Sequence, residues 1–458
     1  MKISTLLLIT LLIQLNGFAQ FGPEQIITTE LEGPDNLTIG DIDGDSFPDI
    51  LIGSRFDDKI SWSKNIDGTG TFGPIQFIAS AETRNLSLAD LDGDNDLDIL
   101  APYVFLNKFV WFENIDGLGT FGPSQIIDND ADSAFRAIGA DVDGDGDLDV
   151  VGAVSMQNSA VWYENQDGLG NFSSSKLISS SLLGCRSVFP TDIDGDGDLD
   201  VVANSGDTVT ISWFENLDGQ GNFGPQKIVA GQALYVAEIS TADIDGDGDK
   251  DIIGTTNATG IVAWHENLDG LGTFGAQQLI TNQAISCSTI FCTDLENDGD
   301  IDVLFGSTPS SNEETSEVAW CENLDGLGNF GPKQVLGNTL KFTRDVYAAD
   351  IDGDTDMDVF ATSQNNNKVV WFENLTILGV TENQNNTIKV HPNPSSGIIT
   401  IDSRNETLTQ VVLYNALGKN IIETTATEQL DISALANGVY FLKLTSQRGS
   451  FVQKIVKE

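Results

Sequence analysis

The sequence predicts an all-β protein, a seven-bladed β-propeller followed by a small β-sandwich domain. Three observations carry that expectation. An acidic nine-residue loop of the form D-x-D-G-D-G-D-x-D is written seven times, starting at Asp41, Asp90, Asp141, Asp192, Asp243, Asp294 and Asp350. Successive starts are 49, 51, 51, 51, 51 and 56 residues apart, and a period near ~50 residues marks a propeller or solenoid. Each period also holds one of the seven tryptophans, Trp62, Trp111, Trp162, Trp213, Trp264, Trp320 and Trp371.

Taken from the N-terminus, residues 1–19 read as a secretory leader. Lys2 supplies the positive end, Leu6 to Leu15 a short apolar run, and Gly17 and Ala19 the small residues before a cleavage site. The run is too short to span a bilayer, which takes ~20 apolar residues. No later segment is expected to cross a membrane as a helix.

Residues 20–375 form the propeller. In repeat 3, residues 135–140 enter the acidic loop as a first strand, 150–154 leave it as a second, and 160–164 form a third. The Asp167-Gly168 turn leads to a fourth near Phe172 to Ile178, because Asp-Gly between apolar runs favours a hairpin. The residue before each loop is small (Gly40, Ala89, Ala140, Thr191, Ala242, Thr293, Ala349), as a strand crowded near an axis requires. The two residues after each loop are apolar, so both faces of the second strand are expected to be covered. A copy of the fourth-strand segment F-G-P-x-Q-I-I is missing after Trp371 but stands alone at Phe21 to Ile27. The N-terminal strand is therefore expected to complete the seventh blade and remove the open edges of the array.

The chain has a formal net charge of −47. The loops hold four acids in the first copy and five in each of the other six, 34 of the 69 in the chain. Charge clustered in this way points to cation ligands rather than mere solubility. No basic patch is visible for phosphate neutralisation, so nucleic acid is not an expected partner. In loop 3, carboxylates at positions one, three and five can converge on one ion, a glycine at six allows the sharp turn, position seven offers a backbone carbonyl, and position nine closes the shell. This is EF-hand ligand logic with the last carboxylate at nine. Oxygen-only donors suit Ca²⁺ rather than zinc.

The expected ligands are Asp41, Asp43, Asp45, Phe47 and Asp49 in loop 1, and Asp90, Asp92, Asp94, Asp96 and Asp98 in loop 2. In loop 3 they are Asp141, Asp143, Asp145, Asp147 and Asp149, and in loop 4 Asp192, Asp194, Asp196, Asp198 and Asp200. Loop 5 offers Asp243, Asp245, Asp247, Asp249 and Asp251, and loop 6 Asp294, Glu296, Asp298, Asp300 and Asp302. Loop 7 offers Asp350, Asp352, Asp354, Asp356 and Asp358. Up to seven calcium ions are thus expected. Loops 1 and 7 should bind most weakly, since Ser46, Pro48 and Thr355 depart from the pattern.

With its F-G-P segments, acidic loops and W-[FY]-E-N segments, the chain resembles the FG-GAP/VCBS-type repeat proteins, the family that includes the integrin α-subunit propeller. The resemblance covers about residues 21–375. It implies calcium bound between the first and second strands of each blade on one propeller face, through positions one, three, five, seven and nine.

After a polar linker at 376–387, residues 388–458 carry P-N-P at 392–394, L-Y-N-x-x-G at 413–418, L-D-I-S at 430–433 and G-x-Y-x-L at 438–442. This segment resembles the C-terminal sorting domain of type IX secretion substrates. It departs from the family at His391, where a tyrosine is usual. The resemblance implies a β-sandwich, the type IX export machinery as a partner, and a secreted or surface-attached product.

The four cysteines, Cys185, Cys287, Cys292 and Cys321, match no metal or redox spacing and are expected to be buried thiols. His265 occupies a variable repeat position and reads as structural. No catalytic constellation is visible. The expected function is a non-enzymatic, calcium-stabilised, monomeric binding or adhesion module for a glycan or a protein, acting through the face opposite the acidic loops. The rival readings are a carbohydrate-active enzyme of polysaccharide-lyase type and a rigid spacer for the export signal. A five-residue insertion around Thr308 to Glu317 is expected on that same face, where it reads first as a tolerated surface insertion and second as a functional loop.

Ligation at ~0.1–1 mM affinity would add ~2.7 kcal/mol per site at a hundredfold calcium excess. Exhaustive chelation is therefore expected to lower the melting temperature strongly. An unchanged thermal melt would exclude calcium as a structural ion.

Overall fold

The computed structural model describes residues 21–375, except 209, 231–235, 257–258 and 308–314. It also describes 389–457, except 403–407, 416–418, 426, 428 and 447–448. The expected leader, the linker and most of the 308–317 insertion lie outside these residues. The chain divides into two compact units, 1–376 and 377–458.

Within the first unit, β1 (Gln25–Thr28) is set aside from its chain neighbours. The next four strands, β2 (Pro34–Gly40), β3 (Asp49–Ser54), β4 (Lys59–Ser63) and β5 (Gln76–Ser80), pair in sequence order as one antiparallel sheet. The acidic loop joins β2 to β3. Five further sheets repeat this order along the chain. A seventh is built from Thr343–Ala349, Asp358–Ser363, Lys368–Phe372 and β1. β1 sits in the register of an ordinary fourth strand: Gln25 faces Trp371 as Gln76 faces Trp62 and Gln125 faces Trp111. Phe21 likewise bridges Asn374 as Phe72 bridges Asn65.

The second strands are buried along their length in six of the seven sheets, as the paired apolar residues foretell; Gly254 makes the exception half-buried. The fourth strand of repeat 3 is shorter than expected, Lys176–Ser179. Phe172 makes only an isolated bridge to Asn165, because residues 166–171 are spent on a turn whose two glycines, Gly168 and Gly170, take positive φ.

The apolar cores of this unit lie between sheets rather than within them. Trp162 of sheet 3 packs with Val201 and Phe214 of sheet 4. Leu37 and Ile50 of sheet 1 pack with Phe360 and Trp371 of sheet 7, so the series returns on itself. The first strands approach closely along the same circuit. A Cβ on Gly139 would stand 2.8 Å from the Ala89 Cβ, which explains the small residues before the loops. Six of the seven tryptophans are covered by the next sheet's turn. Gly170 (φ +76) lies so near the Trp111 ring that a Cβ there would overlap it. Among the described residues no such turn covers Trp320, which is met instead by Phe21, edge to face at 6.4 Å.

A polar staple joins every neighbouring pair. The asparagine three residues after each tryptophan donates Nδ2–H to the carbonyl at loop position two of the preceding sheet. Asn114 reaches Ile42, Asn165 Leu91, Asn216 Val142, Asn267 Ile193, Asn323 Ile244 and Asn374 Leu295, at 2.7–2.9 Å. Asn65 closes the series on Ile351 at 2.9 Å. The described residues thus form a closed, propeller-like circuit of four-stranded sheets.

The second unit packs a three-stranded sheet (Lys389–His391, Ile398–Asp402, Gln429–Asp431) and a four-stranded sheet (Asn420–Thr424, Leu408–Asn415, Gly438–Ser446, Gly449–Lys457) over one core. Val390, Ile401, Leu413, Leu442 and Ile455 belong to that core. Asn393 ties the P-N-P segment to the last strand, donating to the Lys454 carbonyl at 2.6 Å and accepting from Val456 N–H at 2.8 Å.

Deleting residues 20–28 would leave the Lys368–Phe372 edge unpaired and the Trp320 ring uncovered. The truncated chain is expected to melt at lower temperature and to self-associate through the open edge. Calorimetry and light scattering read both effects; a monomer with an unchanged melt would show that closure contributes nothing.

Candidate metal centres in the acidic loops

Each loop is shaped by its own carboxylates. In loop 3, Asp141 accepts from Gly144 N–H at 2.8 Å and from Gly146 N–H at 3.2 Å, and Asp145 accepts from Asp147 N–H at 3.0 Å. The sixth residue takes positive φ in every loop: Gly146, Gly197, Gly248 and Gly299, but also Ser46, Asn95 and Thr355. Asparagine tolerates this region; Ser46 and β-branched Thr355 adopt it at a cost.

The ninth residue is a buried bracket. Asp149 accepts Val142 N–H on one oxygen at 3.0 Å and Asn165 N–H on the other at 2.8 Å. Asp49, Asp98, Asp200, Asp251, Asp302 and Asp358 do the same with their own partners. Both oxygens are engaged, so this residue keeps spare lone pairs rather than a free bidentate face.

Positions one, three and nine come together, with one oxygen of each mutually within 4.8 Å, as Asp90, Asp92 and Asp98; Asp141, Asp143 and Asp149; Asp192, Asp194 and Asp200; and Asp243, Asp245 and Asp251. Loop 1 gathers Asp41, Asp43 and Asp45 instead. Position five stands outside this closest set in loops 2 to 5. The side chains at position seven turn toward the following hairpin, where a Cβ on Gly168 would meet Asp147 and one on Gly219 would meet Asp198.

Oxygen atoms at these clusters lack partners. Oδ1 of Asp43, Asp92, Asp143, Asp194 and Asp245, all at position three, is buried and accepts no hydrogen bond. So are both oxygens of Glu296, the position-three residue of loop 6, and Oδ1 of Asp96, Asp243 and Asp356. A buried unpaired oxygen costs ~1–3 kcal/mol, more when charged. The electrostatics agree. Burial, outweighing two backbone N–H bonds, pushes Asp98, Asp149, Asp200 and Asp251 up to about 7 and Asp358 up to about 8. Burial and then the crowding of Asp354 push Asp356 up to about 9. Burial with the Asp302 carboxylate pushes Glu296 up to about 11. Apart from loop 1, where Lys64 pairs with Asp43 and Asp45, these clusters are short of positive charge, and their oxygen-only donors fit a hard divalent cation.

The asparagine staple was not foreseen as part of the site. Its signal was present in the asparagine that follows every tryptophan by three residues. The cysteines are free; Cys185, Cys287 and Cys321 are buried and Cys292 is half-buried. His265 is buried with Nδ1 3.2 Å from the Gly275 carbonyl, and burial lowers its pKa.

The family model of the FG-GAP-like repeat matches residues 41–101, 141–203, 192–254, 243–305 and 294–361. The chain belongs to that family. Residues 389–458 match the secretion system C-terminal sorting domain, which marks the protein for type IX secretion to the cell surface or beyond. No helix among the described residues is long and apolar enough to cross a membrane. A chain in the crystal structure of BBS1N in complex with ARL6DN, soaked with lead, is similar in fold, with TM-score 0.54 at 8% identity over 78% of this chain and 97% of that one. The same complex soaked with mercury gives 0.53 at 8% identity, over 79% and 98%. This likeness supports the propeller-like fold alone. No curated protein matches the chain in sequence.

The raised carboxylates fix the sign of a pH effect. Their folded pKa values lie above the unfolded value of 3.8, so the metal-free folded state holds extra protons between roughly pH 4 and 7. In calcium-free buffer the melting temperature is expected to rise as pH falls from 8 to 5. The increment produced by added calcium should shrink over the same range. A metal-free melt that falls on acidification would contradict this charge balance.

Proposed function

We propose that the protein is a secreted, seven-bladed, calcium-stabilised β-propeller that acts as a non-enzymatic binding module for an anionic glycan. The carboxylates at positions one, three and nine, supported by the carboxylate at five and the backbone carbonyl at seven, would hold calcium. The bound ion would supply the positive charge that the unpartnered oxygens lack.

The observation that carries the binding role is at the other end of the first strands. A cavity of about 550 Å³ opens there, lined by residues from the first strand of every sheet. Of the five arginines in residues 20–375, four line it: Arg84, Arg136, Arg186 and Arg344. In a chain of net charge −47 this is a concentration of the scarcer sign. Arg84 and Arg344 share Asp35, at 3.0 and 2.9 Å, and Arg136 pairs with Glu238. Arg186 is exposed and has no carboxylate partner among the described residues. Its guanidinium lies 5.7 Å from the centre of the Phe135 ring, which Arg84 flanks at 5.9 Å. An arginine held against an aromatic ring presents a fork suited to a carboxylate or sulfate, beside an apolar face suited to a sugar ring.

On an array of neutral and uronate-bearing or sulfated glycans, the mature protein is expected to bind the anionic members, more weakly at high salt. Arg186→Glu should reduce that binding at least tenfold without changing the melt. Equal binding by the variant would move the site elsewhere. Ultraviolet absorbance from unsaturated products during incubation would make the protein a lyase, and silence on every glycan would favour a protein ligand.

A further inference from the structure

Repeat 1 reverses a charge that the other repeats share. Two residues after the tryptophan, the other repeats carry Glu113, Glu164, Glu215, Glu266, Glu322 and Glu373; repeat 1 carries Lys64. The glutamates reach sideways to the fourth strand. Glu164 meets Lys176 at 2.7 Å, and Glu266 accepts from Gln278 at 3.0 Å. Lys64 turns into its own acidic loop. Its Nζ lies 2.8 Å from Asp45 Oδ2 and is paired with Asp43, which is 9% exposed. The ligand-like cluster shifts with it, to positions one, three and five. Loop 1 has also lost the position-six glycine and the position-seven acid, to Ser46 and Phe47, and gained Pro48.

We propose that loop 1 carries its cation covalently, the Lys64 ammonium standing where the other loops would take a divalent ion, so that repeat 1 is held without metal. The inference rests on the calcium reading of those other loops. An ammonium offers three donors and can serve two carboxylates at once. A calcium ion could enter only by breaking both ion pairs and lying beside the displaced positive charge. Tethering spares the ammonium most of the entropy cost of association that a free cation bears. The position has a use. Lys64 precedes Asn65, which staples sheet 1 to sheet 7 through the Ile351 carbonyl. The junction that closes the circuit is thereby braced whatever the calcium supply.

The test counts bound calcium on the mature full-length protein by equilibrium dialysis and elemental analysis. Lys64→Glu is expected to gain one equivalent over the wild type, and Glu113→Lys to lose one. Lys64→Gln should melt below the wild type in calcium-free buffer and recover when calcium is added. An unchanged count in folded Lys64→Glu would overturn the proposal, as would equal calcium-free melts of Lys64→Gln and the wild type. If none of these proteins bound calcium, the reading of the other loops would fall. The calcium-free melt alone would then decide whether Lys64 is the cation of loop 1.

Discussion

The carboxylate at the ninth loop position holds the circuit together. In each repeat it accepts one backbone N–H from the start of its own loop and another from the asparagine beyond the third strand, as Asp149 does with Val142 and Asn165. That asparagine is thereby aimed at the neighbouring sheet, where Asn165 meets the Leu91 carbonyl. Loop, hairpin and inter-sheet junction are one hydrogen-bonded unit, written seven times. Bonds to a charged acceptor contribute ~1.5–3 kcal/mol each, and here they are buried. The arrangement also links stability to ion chemistry: whatever steadies the ninth carboxylate steadies the asparagine and the joint beyond it.

Much of this was legible in the chain. The repeat spacing, the single tryptophan per period and the displaced Phe21 segment foretell the order of strands and the partner of β1. Small residues before the loops foretell close first strands, as Gly139 against Ala89 shows. Other features were not legible for physical reasons. The fourth strands begin late because a turn with two left-handed glycines consumes chain that looks extended. The reach of the asparagine depends on where the neighbouring sheet lies, which no local pattern reports. Lys64 reads as one more surface lysine until the fold brings its ammonium back to residues about twenty positions earlier. The cavity arginines are scattered at Arg84, Arg136, Arg186 and Arg344, and only closure of the circuit makes them neighbours.

The two ends of the first strands carry opposite chemistry. At one end, acids are packed so tightly that burial and mutual repulsion raise their pKa values. At the other, arginines outnumber the acids that line the same cavity, and Arg186 has no carboxylate partner among the described residues. Only half of the molecule's acids lie in the loops, so the separation follows from the repeat, not from composition. Variation between repeats is tolerated where strands begin and restricted where they enter the loop, so the two ends of the first strands differ in how freely their chemistry can change.

The pairing of β1 with the Lys368–Phe372 strand also dictates the order of assembly. Gln25 and Glu373, 348 positions apart, lie in the same sheet. Six sheets can form from contiguous chain as it emerges; the seventh waits until both ends are present, and bears the largest loop-closure entropy of any contact in the unit. That sheet is consequently the last to form and the natural place for unfolding to begin. The lifetime of the folded molecule outside the cell is then governed by the rate at which the segment from Phe21 to Thr28 lets go.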